Sequence, residues 1–276
     1  MVDTRRRAAL WLLLCTLASL AVACGRPVPA FPTGSVTPYP DFPAAYRGAT
    51  QACRDVKTIT ASMSISGKAG RTKLRGRIDA GFEAPARMRL EGLAPFGRPV
   101  FILTSNAETS TLVLPRDERV LANAAPEQIV EALAGVPLRP DTLRTIVSGC
   151  GFAAGDPKEE GRAYHDGTIA GTVEQQTVYL RQTASAWQVA GASRGEVSVF
   201  YADYANGRPS TIRVRATPSS GPAADLTLRL SQVDVNTAID PRAFTPAVPD
   251  KAIPLTLDEL RHAGPLGGDQ PAKGGA

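Results

Sequence analysis

The chain reads as a mainly antiparallel β fold with a few short helices packed on one face of the sheet (α+β). Two observations predict it. From Lys57 onward the apolar residues recur at every second position, as in Ile59, Ala61, Met63 and Ile65 set against Thr58, Thr60, Ser62 and Ser64. In the middle of that pattern the period changes to that of a helix, twice and briefly, each time between a proline and a glycine. Strands that are apolar on one face need a cover, and two short amphipathic helices supply one.

Before the first strand the sequence changes character three times. Residues 1–23 read as an export signal, with Arg5, Arg6 and Arg7 as its positive start and Ala8 to Leu20 as its apolar run, too short for a permanent membrane span. The segment ends Leu20-Ala21-Val22-Ala23-Cys24-Gly25, which resembles a bacterial lipobox and marks Cys24 as the lipidated first residue of the mature chain. The alternative is a cleaved secretory signal with an incidental cysteine. Gly25 is not the aspartate that retains lipoproteins in the inner membrane, which implies the outer membrane. Residues 24–43 carry six prolines, at 27, 29, 32, 38, 40 and 43, and read as an extended spacer. Ala44 to Val56 then reads as one helix with Ala45, Ala49 and Ala52 on a small-residue face.

The domain proper is predicted over 44–250. After the strands around Ile59 and Ile78, Arg87 to Leu103 reads as a hairpin, Met88 and Leu90 alternating with Arg89 and Glu91. Its turn is Ala94-Pro95-Phe96-Gly97. Phe96 at the apex is either folded down on its own hairpin or offered outward to a membrane or lipidated partner. Thr109 to Leu114 and Arg119 to Leu121 continue the sheet. One helix starts at Pro126 with Ile129, Val130 and Leu133 and stops at Gly135; the next starts at Pro140 with Leu143, Ile146 and Val147 and stops at Gly149. Ala153 to Arg162 reads as a polar loop, and strands resume around Val178, Val189, Val199, Ile212 and Leu228. Residues 251–276 read as a mostly disordered tail, with one or two helical turns within Leu255 to His262.

Function classes narrow by elimination. A net charge of +5 over 276 residues, without a dense basic block, argues against nucleic acid. The two histidines, His165 and His262, stand far apart, no cysteine–histidine cluster has metal spacing, and no nucleophile elbow or phosphate loop occurs, so neither enzyme nor cofactor is expected. Of the four cysteines, Cys15 leaves with the signal and Cys24 takes lipid. Cys53 and Cys150 remain in an oxidising compartment and are predicted to form a disulfide, the alternative being two buried thiols.

The block from Arg87 to Gly151 resembles the LolB family of outer-membrane lipoprotein receptors. The resemblance lies in a strand opening Arg87-x-Arg89-Leu90, the turn Pro95-Phe96-Gly97, the returning strand to Leu103, the helix ending Leu133-Ala134-Gly135-Val136-Pro137-Leu138, and a second helix with Leu143, Arg144 and Gly149. The order of later strands agrees, and the ending near Phe244 is similar to the soluble carrier LolA. The resemblance implies an unclosed antiparallel barrel wrapped around a helical lid, with an apolar pocket that holds acyl chains of lipoproteins in transit. Phe96 matches the position that helps insert cargo into the membrane. A LolA-like carrier and lipidated proteins are the implied partners of a lipid-anchored monomer at the periplasmic face.

Inner-face positions are often slender, namely Ala61, Met63, Gly76, Ala80 and Gly92, so the space under the helices is either a cleft or a packed core. The residues expected to contact an acyl chain are Met63, Ile65, Leu74, Ile78, Met88, Leu90, Phe101, Leu103, Leu112, Ile129, Leu133, Leu143 and Ile146. Two other functions fit the same fold: an envelope lipoprotein acting as an adaptor, and a binder of another amphiphile such as a glycolipid.

Overall fold

A computed structural model describes residues 29–94, 99–184, 186–219 and 223–263. Cys24 and Phe96 lie outside them. Residues from Pro32 onward form one unit. In chain order the elements are β1 (Val36–Tyr39), α1 (Phe42–Arg54), then a meander of β2 (Thr58–Ala69), β3 (Thr72–Glu83), β4 (Arg87–Leu93), β5 (Pro99–Ser105), β6 (Ser110–Leu114) and β7 (Arg119–Ala124). Helices α2 (Pro126–Ala134) and α3 (Pro140–Ser148) follow. A second meander runs through β8 (Gly161–Tyr164), β9 (Ile169–Val173), β10 (Gln176–Gln182), β11 (Trp187–Arg194), β12 (Val197–Ala205), β13 (Arg208–Ala216) and β14 (Ala224–Val235). The chain closes with a 3-10 turn at Pro241–Phe244, β15 (Ile253–Pro254) and α4 (Leu257–Ala263).

All fifteen strands belong to one sheet, ordered β1-β8-β9-β10-β11-β12-β13-β14-β2-β3-β4-β5-β6-β7-β15. The ends β1 and β15 do not pair with each other, so the sheet is unclosed. The two meanders meet where β14 pairs with β2, with Leu228 opposite Ile65 and Leu230 opposite Met63. Among the described residues only β15 runs parallel to its neighbour, β7; every other pairing is antiparallel.

The helices cover the sheet unevenly. α1 packs on β8 to β11 and buries Phe42, Ala45, Tyr46, Thr50 and Cys53. Phe42 lies so close to β8 and β9 that a Cβ at Gly161 or Gly171 would overlap its ring. Tyr46 stacks beside it, ring centroids 5.9 Å apart. α2 begins at Pro126, whose missing N–H costs nothing in the first turn, and ends on Gly135 in the left-handed region at φ 74°. A side chain at Gly135 would also press on Ala69 of β2, 3.1 Å from its Cβ, so glycine lets the end of α2 sit directly on the β2–β14 seam. α3 repeats the proline start and glycine stop at Pro140 and Gly149.

Cys53 at the end of α1 and Cys150 just after α3 form a disulfide, with Cα atoms 5.7 Å apart. The buried Tyr201 hydroxyl reinforces the same junction: it donates to Ile146 O at 2.9 Å and accepts from Gly151 N–H at 3.0 Å.

Four strands differ from the sequence expectation, while α4 falls on the helical turns expected within Leu255 to His262. The sheet begins inside the expected spacer, because β1 pairs with β8 at its edge, where a proline such as Pro38 deprives no neighbour of a donor. β8 and β9 extend the sheet where the pattern showed a loop and an unassigned stretch. Residues 251–263, assigned to the mostly disordered tail, are held in place by β15 on β7 and by α4 on α2. Leu255 and Leu260 are both buried there.

Candidate functional site

The burial patterns of β2 to β5 place one row of side chains inward from each strand, Ile65 and its neighbours from β2, Leu74 and Ile78 from β3, Leu90 from β4, Phe101 and Leu103 from β5. Above them α2 lowers Val130, Leu133 and Ala134. Between helix and strands lies an apolar cavity of about 360 Å³, open to solvent, bordered at its margins by Leu93, Ala94, Val100 and the exposed Arg75, Arg77 and Arg116. That volume falls within the range of small-molecule sites, about 300–1,000 Å³. Alternation along β3 turns the side chains of Arg75 and Arg77 to the solvent face. The floor there is bare backbone beside Gly76.

Seven of the thirteen residues expected at an acyl site line this cavity: Ile65, Leu74, Ile78, Leu90, Phe101, Leu103 and Leu133. The other six do not. Met63, Met88, Leu112, Ile129 and Ile146 are built into the main core, and Leu143 packs against it. Both sets share the same alternation or helical spacing. Helix identity does not separate them either: Ile129 and Leu133 both lie on α2, and Leu133 reaches the cavity while Ile129 does not.

The slender inner-face residues also divide. Ala61, Met63 and Ala80 are core. A Cβ at Gly92 would overlap the ring of Phe101, which therefore occupies the gap that glycine leaves. At Gly76 the nearest atom to a Cβ would be Ile65 Cγ2, at 3.9 Å, so that gap is open. Among the lining residues, Val130, Ala134 and the arginines at the margins did not stand out as contacts in the sequence. A helix face shows its apolar residues but not which of them meets empty space.

Among the described residues no carboxylate or histidine lines the cavity, and no group of three or more metal-binding side chains comes together. His165 and His262 are both exposed. Chemically the cavity offers dispersion contacts and exclusion of water, with cations only at its border. The perturbed titrations lie elsewhere. Burial raises the Tyr46 hydroxyl to about 12, with the Arg54 guanidinium pulling the other way. Burial also raises Tyr201 and Tyr204.

A second hollow of similar size lies on the opposite face of the sheet, where the segment after β14 crosses β2 to β4. Several of its polar groups pair with one another: Ser62 Oγ donates to Asp79 Oδ1 at 2.6 Å and lies 3.1 Å from the Gln232 side-chain amide, and Arg89 pairs with Glu91 while donating to Ala243 O at 2.8 Å. The apolar cavity is thus the one with unused contact surface.

No known family's sequence profile matches this chain, and it matches none of the curated proteins. Solved structures similar to it include a LolA superfamily protein from Nitrosomonas europaea, 13% identical over 74% of this chain and 96% of that chain, with a TM-score of 0.47. Another is an outer membrane lipoprotein-sorting protein domain from Vibrio parahaemolyticus, 12% identical over 73% of this chain and 97% of that chain, TM-score 0.41. A third is the lipoprotein LppX of Mycobacterium tuberculosis, 12% identical over 73% of this chain and 98% of that chain, TM-score 0.32.

Proposed function

We propose that this chain is a non-catalytic, LolB-like lipoprotein anchored through Cys24 to the periplasmic face of the outer membrane, where it accepts acyl chains of lipoproteins from a soluble LolA-like carrier and helps insert them. The observation that carries the reading is the open apolar cavity under α2, lined by aliphatic side chains and Phe101. An acyl chain entering it leaves water at about 0.8 kcal/mol per methylene. Full transfer to the bilayer gains more contact still, so the cavity serves as an intermediate station and the membrane as the sink. Phe96, which lies between β4 and β5 in sequence, is the side chain proposed to enter the bilayer.

The test is a transfer assay from loaded carrier to vesicles. Phe96→Glu is expected to leave thermal unfolding unchanged and to abolish delivery; normal delivery by that variant removes the role given to the hairpin tip. A second reading, a tethered adaptor, draws on the half of the sheet that α1 fills with Phe42 and Tyr46. It is favoured if the cavity takes up no amphiphile of any kind.

A further inference from the structure

An engineered apolar cavity of about 150 Å³ takes up one benzene. The space under α2 is about 360 Å³, which on that scale holds about 12–15 carbons. A lipoprotein anchor of the kind read at Cys24 carries more than one chain, and that volume matches one chain rather than two.

The empty space has a local origin. β3 and β4 each omit one inward side chain, at Gly76 and Gly92. Across β4 and β5, Gly92 pairs with Phe101, whose ring closes that gap. Across β2 and β3, Gly76 pairs with Ile65, and nothing closes it. The hollow is therefore bounded by the Phe101 ring on one side and enlarged by the missing side chain of Gly76 on the other.

We propose that the cavity takes a single unbranched acyl chain of about 12–15 carbons, and that Gly76 and Phe101 set its depth. The inference rests on the acyl-chain binding proposed above and adds how many chains enter and which residues limit them. A lipoprotein would then be held by one chain while its others stay in the membrane or on the carrier, which keeps the hold weak enough for release.

The test is a binding series of saturated fatty acids from about 8 to about 18 carbons, measured with the whole exported chain carrying Cys24→Ala so that no anchor competes. Affinity is expected to rise about fourfold per methylene and to level off near about 12–15 carbons, at one chain per protein. In Gly76→Leu the plateau is expected about four carbons earlier, with the thermal-unfolding midpoint measured alongside to show that the variant is folded. Gly76→Ala, a smaller intrusion, is expected to shift it by about one carbon. Two chains per protein, a rise that continues through the longest acid, or an unchanged profile in Gly76→Leu overturns the inference while leaving acyl binding intact. Failure of the unaltered chain to bind any of the acids overturns both.

Discussion

At the scale of single residues, Gly76 and Gly92 are the same residue type on the same face of adjacent strands, and they behave oppositely. Adding a methyl at Gly92 drives it into the Phe101 ring, and overpacking of this kind costs about 1–3 kcal/mol. Adding one at Gly76 meets only an ordinary contact with Ile65, and replacing a strand glycine by alanine gains about 0.5–1 kcal/mol. Denaturant unfolding is therefore expected to show a lower midpoint for Gly92→Ala and an equal or higher one for Gly76→Ala. Equal losses at both sites would mean that Phe101 does not occupy the Gly92 gap. Alternation along β3 and β4 places both glycines on the inner face. Which gap is filled depends on the side chain of a third strand, β5, and on the cross-strand register that aims Phe101 at Gly92.

At the scale of elements, two attachments hold the cover on the sheet. The Cys53–Cys150 bond ties α1 to the end of α3 across 97 positions of chain, and replacing Cys53 and Cys150 together by alanine is expected to cost about 2–5 kcal/mol. The expected loss appears in the unfolding midpoint and disappears when the unaltered chain is measured in reductant. An unaffected midpoint would leave the junction held by Tyr201 and side-chain packing alone.

The second attachment is α4, which packs on α2 and so braces the roof of the cavity. Glu259 accepts from Thr256 N–H at 2.8 Å and pairs with Arg119 at 2.8 Å. These contacts hold its carboxyl near pH 2, below the ordinary value of 4.5. A depressed carboxylate contributes its stabilisation above the unfolded value and loses it as pH falls through the folded one. Hydrogen exchange in α4 is thus expected to accelerate as pH falls from about 4.5 towards about 2, after correction for intrinsic rates, and Glu259→Gln is expected to exchange fast throughout. A flat profile in the unaltered chain would remove Glu259 from the attachment.

Both helix pairs of proline start and glycine stop were readable in the sequence, and so was the cysteine pair. β15 was not: two residues with a proline carry no period, and its pairing with β7 spans more than a hundred positions. β8 and β9 escaped for a related reason. Gly161 and Gly171 break the alternation because Phe42 needs the room their side chains would take.

At the scale of the whole molecule, one sheet serves two purposes. The half built from β8 to β13 is filled by α1 and forms a conventional core, with Phe42 and Tyr46 fully buried. The half built from β2 to β5 keeps a hollow beside Gly76, whose missing side chain leaves a gap that no neighbour fills. The sequence shows a sheet, its apolar face and two of its covering helices. The division into a packed half and an open half depends on which neighbouring side chain fills each gap in the sheet, which no local pattern records.

Native mass spectrometry of the protein purified from its own membranes tests this account most directly. The account predicts a bound species whose mass is that of an acyl-chain amphiphile, displaced by added fatty acid and diminished in Gly76→Leu. A protein that carries no amphiphile, and takes none up when one is offered, would contradict it.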